Sequence, residues 1–216
     1  MEHLREFPVR GELILDHHFK SFQPVRNFYA NLHIANKLKP FFRRILVVCP
    51  DFPDMEFEEQ IRIEFKEGSN VDFTLKHYEL CKKYSNRYSV LPVMQFNFTS
   101  GEKLEDQLVR QIEFYKHEDY LGVGGVCKFV TNTRHYKLFN TIIHLFREYI
   151  PSNTKLHYFG LSLSIIRKFL SKLLRYDLIY SFDSNAYSIN SNRTLLDYAE
   201  KIREIVVENL EFNAFL

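Results

Sequence analysis

Asp183 closes an apolar run. In YSFDSNAYS, residues 180–188, a lone carboxylate follows DLIYSF and precedes small polar residues. An acid in that place can cap the next turn, bind a ligand, or act as a nucleophile that forms a covalent intermediate. Polar or glycine residues end five other apolar segments: Asp16 after LIL, Asp51 after VVCP, Gln95 after PVM, Gly124 with Gly125 in YLGVGGV, and His157 or the Gly160 turn in LHYFGL. Singly, each has a structural role open to it, since Asp and Asn often cap the helix that follows a strand. Jointly, at successive segment ends, they point to one rim. A second carboxylate there can serve as acid or base. Asp, Gln and exposed backbone amides together match the hydrogen-bonding edge of a purine such as guanine. GVGG lacks the GxxxxGK[ST] pattern, so no phosphate cradle is read from it.

The elements that would position these residues alternate along the chain. Six apolar segments, GELILDHH (11–18), RRILVVCPD (43–51), SVLPVMQF (89–96), YLGVGGV (120–126), TKLHYFGL (154–161) and YDLIYSFDS (176–184), are mostly near-continuous runs. Strands buried on both faces of a parallel sheet have that character. Helical patterns fall at 24–38, 71–86, 101–117, 133–150, 164–175 and 193–211, with Pro151 stopping the fourth. Within 101–117 the expected buried stripe is Leu104, Leu108, Ile112 and Tyr115. The segment 54–69 reads equally as helix or strand. Such alternation predicts repeated βα units. The expected fold is a single α/β domain over residues 1–216, a (β/α)8 TIM-type barrel in preference to an open sheet. It is complete or trimmed, because six strong strands are counted and a full barrel typically takes about 250 residues.

Composition narrows the class. The 216 residues carry 29 basic and 27 acidic side chains, a net charge of +2. That balance neither demands nor excludes nucleic acid, so local patches must decide. Three cysteines, Cys49, Cys81 and Cys127, are widely spaced without a CxxC pair. They are expected to be reduced and buried rather than disulfide- or zinc-bound. The N-terminal MEHLREFPVR is too charged for a signal peptide, and no apolar run reaches about 18 residues. A soluble, cytoplasmic protein is expected, in the host cytoplasm if the source is viral.

The ordered set LILD (13–16), VVCPDFPD (47–54), LPVMQF (91–96), YLGVGGVCKF (120–129), LHYFGLSLS (156–164) and YSFDSNAYS (180–188) resembles the tRNA-guanine transglycosylase superfamily. The last two segments are the most specific. GVGGVCK with LHYFGLSLS behind it looks most like the branch that inserts 7-deazaguanine bases into DNA. The resemblance spans about residues 11–190. It implies a (β/α)8-type barrel and base exchange at a nucleoside, with no cofactor and no metal. Asp183 would match the nucleophile that attacks C1′ of the target guanosine, and Asp16 the proton shuttle. Asp51 would match the reader of the base's N1 and 2-amino edge, and Gln95 the glutamine facing its carbonyl. Gly124 and Gly125 would match the glycines whose amides contact that carbonyl. The partners implied are DNA or tRNA and a 7-deazaguanine, with no membrane; the oligomeric state is left open. The target base would leave the stack, as is general for enzymes that act on bases.

Two departures from the family pattern stand out. The family shows DSG after the first aspartate, whereas this chain has Asp16-His17-His18-Phe19. The zinc motif of the tRNA branch, closely spaced cysteines with a histidine, has no counterpart here. Three functions therefore compete: a transglycosylase, a non-catalytic barrel that binds nucleic acid or a protein, and a glycosylase that hydrolyses rather than exchanges. Backbone-binding candidates are Lys128 beside the GVGG turn, and Arg167 and Lys168 on the helix after LHYFGLSLS, with Lys172 and Arg175 further along it. Lys and Arg contacts to phosphate would make binding salt-sensitive.

Overall fold

The computed structural model describes residues 11–16, 23–53, 69–98, 100–126, 129, 132–183 and 195–214. It is an α/β structure with parallel strands. The chain divides into two compact units, Met1–Glu102 and Lys103–Leu216.

The first unit contains β1 (Glu12–Leu15), α1 (Pro24–Leu38), β2 (Arg44–Val48), α2 (Asn70–Cys81), a 3-10 turn (Lys82–Tyr84), β3 (Ser89–Leu91) and β4 (Val93–Met94). Strands β1, β2 and β3 are neighbours in chain order and all parallel, with Leu13 opposite Ile45 and Val47 opposite Val90. Leu46, Val47 and Val48 are fully buried, as a central parallel strand requires. Pro92, which has no N–H to give a ladder, separates β3 from β4. Helix α1 starts with Pro24 in its first turn, where a missing N–H costs nothing. It buries Phe28, Leu32 and Ala35, an i, i+4, i+7 stripe. Helix α2 opens on a capping box in which the Ser69 side chain accepts from the Asp72 N–H, and the Asp72 carboxylate accepts from the Ser69 N–H. The pattern over 71–86 therefore ends as an α-helix at Cys81 and closes in the 3-10 turn. Residues 54–68 of the ambiguous segment lie outside the described residues.

The second unit contains α3 (Leu104–Tyr115), β5 (Tyr120–Val123), α4 (Thr133–Tyr149), β6 (Lys155–Tyr158), α5 (Leu163–Arg175), β7 (Ser181–Phe182) and α6 (Leu195–Ala214). Strands β5, β6 and β7 are again parallel neighbours in chain order. Helix α4 is capped by Asn132, whose Oδ1 accepts from the His135 N–H at 2.8 Å, and it ends where Ile150, ahead of Pro151, turns extended. Phe139 and Phe146 of α4 reach Tyr158 of β6, with ring centroids 6.2 and 6.5 Å away, and Phe139 meets Phe169 of α5 at 5.1 Å. The face of the sheet that carries Tyr158 is therefore the helix-covered one.

Two expectations shift. On α3 the buried residues are Gln107, Leu108, Gln111 and Tyr115, while Leu104 and Ile112 are only half-buried. Two amides replace two aliphatic side chains on the inner stripe, and Gln111 satisfies part of its need by donating to the Gln107 carbonyl at 3.1 Å. The run YDLIYSFDS contributes a shorter and less buried strand than its apolar character suggests. Leu178 is buried, Tyr180 is exposed, and Ser181 and Phe182 are half-buried, since β6 is the only described neighbour of β7. No helix among the described residues is long and apolar enough to cross a membrane.

Candidate active site

Strand alternation puts Tyr120, Gly122, His157, Ser181 and Asp183 on one side of the β5–β7 sheet, opposite the helix-covered face. Gly122 pairs with His157, and His157 with Ser181, so the register aligns them across three strands. His157, almost fully buried, has its Nδ1 2.8 Å from Ser181 Oγ. Ser181 Oγ lies 3.2 Å from Tyr120 Oη. The other ring nitrogen, Nε2, lies 3.7 Å from Asp183 Oδ2. The Phe159 ring stands edge-on to the imidazole with centroids 4.6 Å apart.

Asp183 is held on three sides yet open on the fourth. Its N–H donates to the Tyr158 carbonyl at 3.1 Å, and its carbonyl accepts from the Leu161 N–H at 3.0 Å. Its Oδ1 accepts from the Gly160 N–H at 2.5 Å. Gly160 has φ of 67°, a left-handed conformation that suits glycine, and this turn aims its N–H at the carboxylate. The Asp183 side chain remains 49% exposed. A fixed, solvent-reachable carboxylate with a free flank can attack an electrophilic carbon, accept hydrogen bonds, or take a proton.

The strand that carries Asp183 is aimed by the end of α5. Asp177 takes φ of 55°, its N–H donates to the Leu174 carbonyl at 3.1 Å, and the Leu178 N–H donates to the Leu173 carbonyl at 2.8 Å. That is a Schellman close, which satisfies two helix-end carbonyls and turns the chain sharply. The Leu178 carbonyl then accepts the Tyr158 hydroxyl at 2.8 Å. Burial pushes the Tyr158 hydroxyl far above the ordinary tyrosine range, so it stays a neutral donor.

In the first unit the structure brings two of the expected site residues together: Gln95 Nε2 donates to Asp51 Oδ2. Gln95 is buried and Asp51 half-buried. The ends of β2 and β4 are tied to the start of α2. The Phe52 N–H donates to Thr74 Oγ1 at 3.0 Å, that hydroxyl donates to the Asn70 carbonyl at 2.8 Å, and Asn70 Nδ2 reaches the Phe96 carbonyl at 3.3 Å. Asp16, exposed at the end of β1, has its carbonyl held by Asn31 Nδ2 at 2.9 Å.

Gly124 and Gly125 follow β5 directly and are buried, with Gly125 at φ of 73°. Arg167 faces Glu208 of α6 at 3.9 Å, and the Lys168 ammonium sits 3.9 Å from the centroid of the Tyr136 ring. Lys172 reaches Asn140 Oδ1 at 2.6 Å. His17, His18 and Lys128 lie outside the described residues, as do Ser184 and Asn185. Cys49 and Cys81 are buried, as expected, and Cys127 is outside the described residues.

Ser181 and Tyr120 join the site without standing out as polar ends of apolar segments. A signal for Ser181 was present in its i, i+2 spacing from Asp183, which places both on one face of a strand. Nothing in the local patterns of Asn31 and Asn70 marks them.

No family model matches the chain, and no curated protein matches it either.

Proposed function

We propose that the chain is a base-exchange transglycosylase that replaces guanine in nucleic acid, DNA in preference to tRNA, with a 7-deazaguanine. Asp183 carries this assignment, because it is a backbone-anchored, half-exposed carboxylate at the end of a parallel strand, on the sheet face opposite α4 and α5. Sites in parallel α/β folds form beyond such strand ends. A (β/α)8-type barrel, complete or trimmed, is the architecture proposed. It is supported by strand neighbours that follow chain order in both sheets, whereas a doubly wound sheet reverses its order.

In the proposed reaction one Asp183 oxygen attacks C1′ of the target nucleotide. The C1′–N9 bond breaks, its electron pair leaves with guanine, and guanine takes up a proton. The incoming 7-deazaguanine then loses its N9 proton and attacks C1′, and the ester bond breaks to restore the carboxylate. Charge develops on the sugar as in glycosidases, where a nearby carboxylate stabilises it. Asp16 is assigned the proton transfers. Asp51 and Gln95 are assigned the base edge, Asp51 as acceptor for N–H groups and Gln95 as donor to a carbonyl. Gly124 and Gly125 are assigned backbone contacts to that carbonyl. Lys128, Arg167 and Lys168 are assigned the phosphates.

The test is incorporation of labelled guanine, or of a 7-deazaguanine, into DNA and tRNA, read by mass spectrometry of the released nucleosides. Asp183→Asn should abolish incorporation and any denaturant-stable protein–nucleic acid adduct. Unchanged incorporation in that variant would remove Asp183 from the chemistry. Abasic sites formed without added base would mean hydrolysis, and binding without an adduct would mean a non-catalytic role.

A further inference from the structure

We infer that His157 is the positioning residue for Asp183, locked by Ser181 in the tautomer whose Nε2–H faces the carboxylate. The inference rests on the role proposed above for Asp183.

The charge of the carboxylate favours one assignment of donors and acceptors. A neutral imidazole offers one N–H and one lone pair, and an ionised carboxylate can only accept. Nε2 faces Asp183 Oδ2 at 3.7 Å, beyond hydrogen-bond length, and the nearby negative charge favours a proton on Nε2 over a lone pair. Nδ1 is then an acceptor, and the partner at 2.8 Å that can donate to it is the Ser181 hydroxyl. Tyr120 Oη lies 3.2 Å from the same hydroxyl. Among the described residues, the groups beside the ring are Ser181 from β7, with the Tyr120 hydroxyl of β5 behind it, the Phe159 ring beyond β6, and Asp183.

The geometry divides the labour on the carboxylate. Gly160 N–H holds Oδ1, whereas the 3.7 Å gap leaves Oδ2 without a direct hydrogen bond from His157. Oδ2 is therefore the oxygen free to attack, and the imidazole beside it orients the group. Burial of the ring in a low-dielectric setting strengthens that influence. When the ester forms on Oδ2, the negative charge that Nε2–H faced is lost. It returns when the ester breaks, so His157 assists the second half of the exchange as well.

Two measurements test this. The first needs no activity. In 15N-histidine-labelled protein with neutral imidazoles, His157 (assigned by its loss in His157→Gln) should show a protonated Nε2 and a hydrogen-bonded, unprotonated Nδ1. Ser181→Ala should move the Nδ1 resonance toward that of a free nitrogen. A protonated Nδ1, or no change in Ser181→Ala, overturns the inference.

The second uses the exchange assay. A Gln side chain can place its amide N–H near the Nε2 position, and Leu cannot. His157→Gln should keep kcat within about tenfold, while His157→Leu should lose about 100-fold in kcat with KM for nucleic acid unchanged. Equal losses in both variants, or losses in KM alone, overturn it, with thermal melts confirming that both fold. Absence of exchange in the unaltered protein would instead sink the transglycosylase assignment, and the tautomer measurement would still decide the role of His157.

Discussion

His157 and Asp183 meet across two neighbouring strands, Nε2 to Oδ2 at 3.7 Å, the imidazole buried and the carboxylate half open. The pair depends on register. His157 pairs with Ser181, so the residue two further along β7 projects to the same side just beyond the end of β6. The buried member is tied to its own strand pair through Ser181, and the open member is tied to the β6–α5 turn through Gly160.

Gly160→Ala tests that tie. The residue sits at φ of 67°, and an alanine there costs about 1–2 kcal/mol. The turn would relax and carry the N–H away from Asp183 Oδ1. A lower denaturation midpoint is expected, together with a fall in the rate of the proposed base exchange larger than the stability loss explains. Full activity at reduced stability would show that the N–H does not orient the carboxylate.

Asp177 offers the opposite case. It occupies the left-handed position of the α5 Schellman close, where glycine is the usual resident. Asp177→Gly should raise stability by about 0.5 kcal/mol, as relieved strain exceeds the added freedom of the unfolded chain. Equilibrium urea unfolding would show the gain as a higher midpoint with an unchanged slope.

Phe139 is the packing test of the second unit. It is fully buried and meets the rings of Phe129, Tyr158 and Phe169 at 6.0, 6.2 and 5.1 Å. Phe139→Ala should destabilise by about 3–5 kcal/mol through lost burial and the cavity left behind. Calorimetry on the variant should show a large drop in Tm, and a near-normal Tm would mean that the site collapses around the smaller side chain.

Tyr149 gives an alkaline signature. Its hydroxyl donates to the Glu105 carboxylate, and that hydrogen bond is the main cause that pushes its pKa from 10.0 to about 12. The folded value exceeds the unfolded one, so the contribution to stability is fully present below pH 10.0 and fades as pH rises through about 12. Tyr149→Phe should remove that part of the pH dependence. The difference in unfolding midpoint between the two proteins should therefore shrink over this range, and a constant difference would contradict the bond.

Much of the scaffold was legible because local rules agree with one another. Pro24 and the Phe28, Leu32, Ala35 stripe mark α1, and Pro151 marks the end of α4. The strand-end polar residues Asp16, Asp51, Gln95 and Asp183 were visible as interruptions of apolar runs. Less legible was everything that depends on which residue lies opposite which. That Ser181 would meet His157, or that Gln95 would donate to Asp51, follows from registers and turns that join distant segments. The inner face of α3 was less legible, because Gln107 and Gln111 share it with Leu108 and Tyr115, and Gln111 meets part of its need within the helix by donating to the Gln107 carbonyl.

The two-residue spacing of Ser181 and Asp183 gives the last described strand something like a reading frame. Deleting or inserting one residue between Leu178 and Ser181 would exchange its sides, turning the serine and the carboxylate toward the helices and Phe182 away from them. Adding two would restore the sides but slide the carboxylate past the Gly160 turn. Length changes tolerated in a surface loop would here turn the carboxylate away from its neighbours, so this short stretch should tolerate insertions, tags or circular permutation poorly.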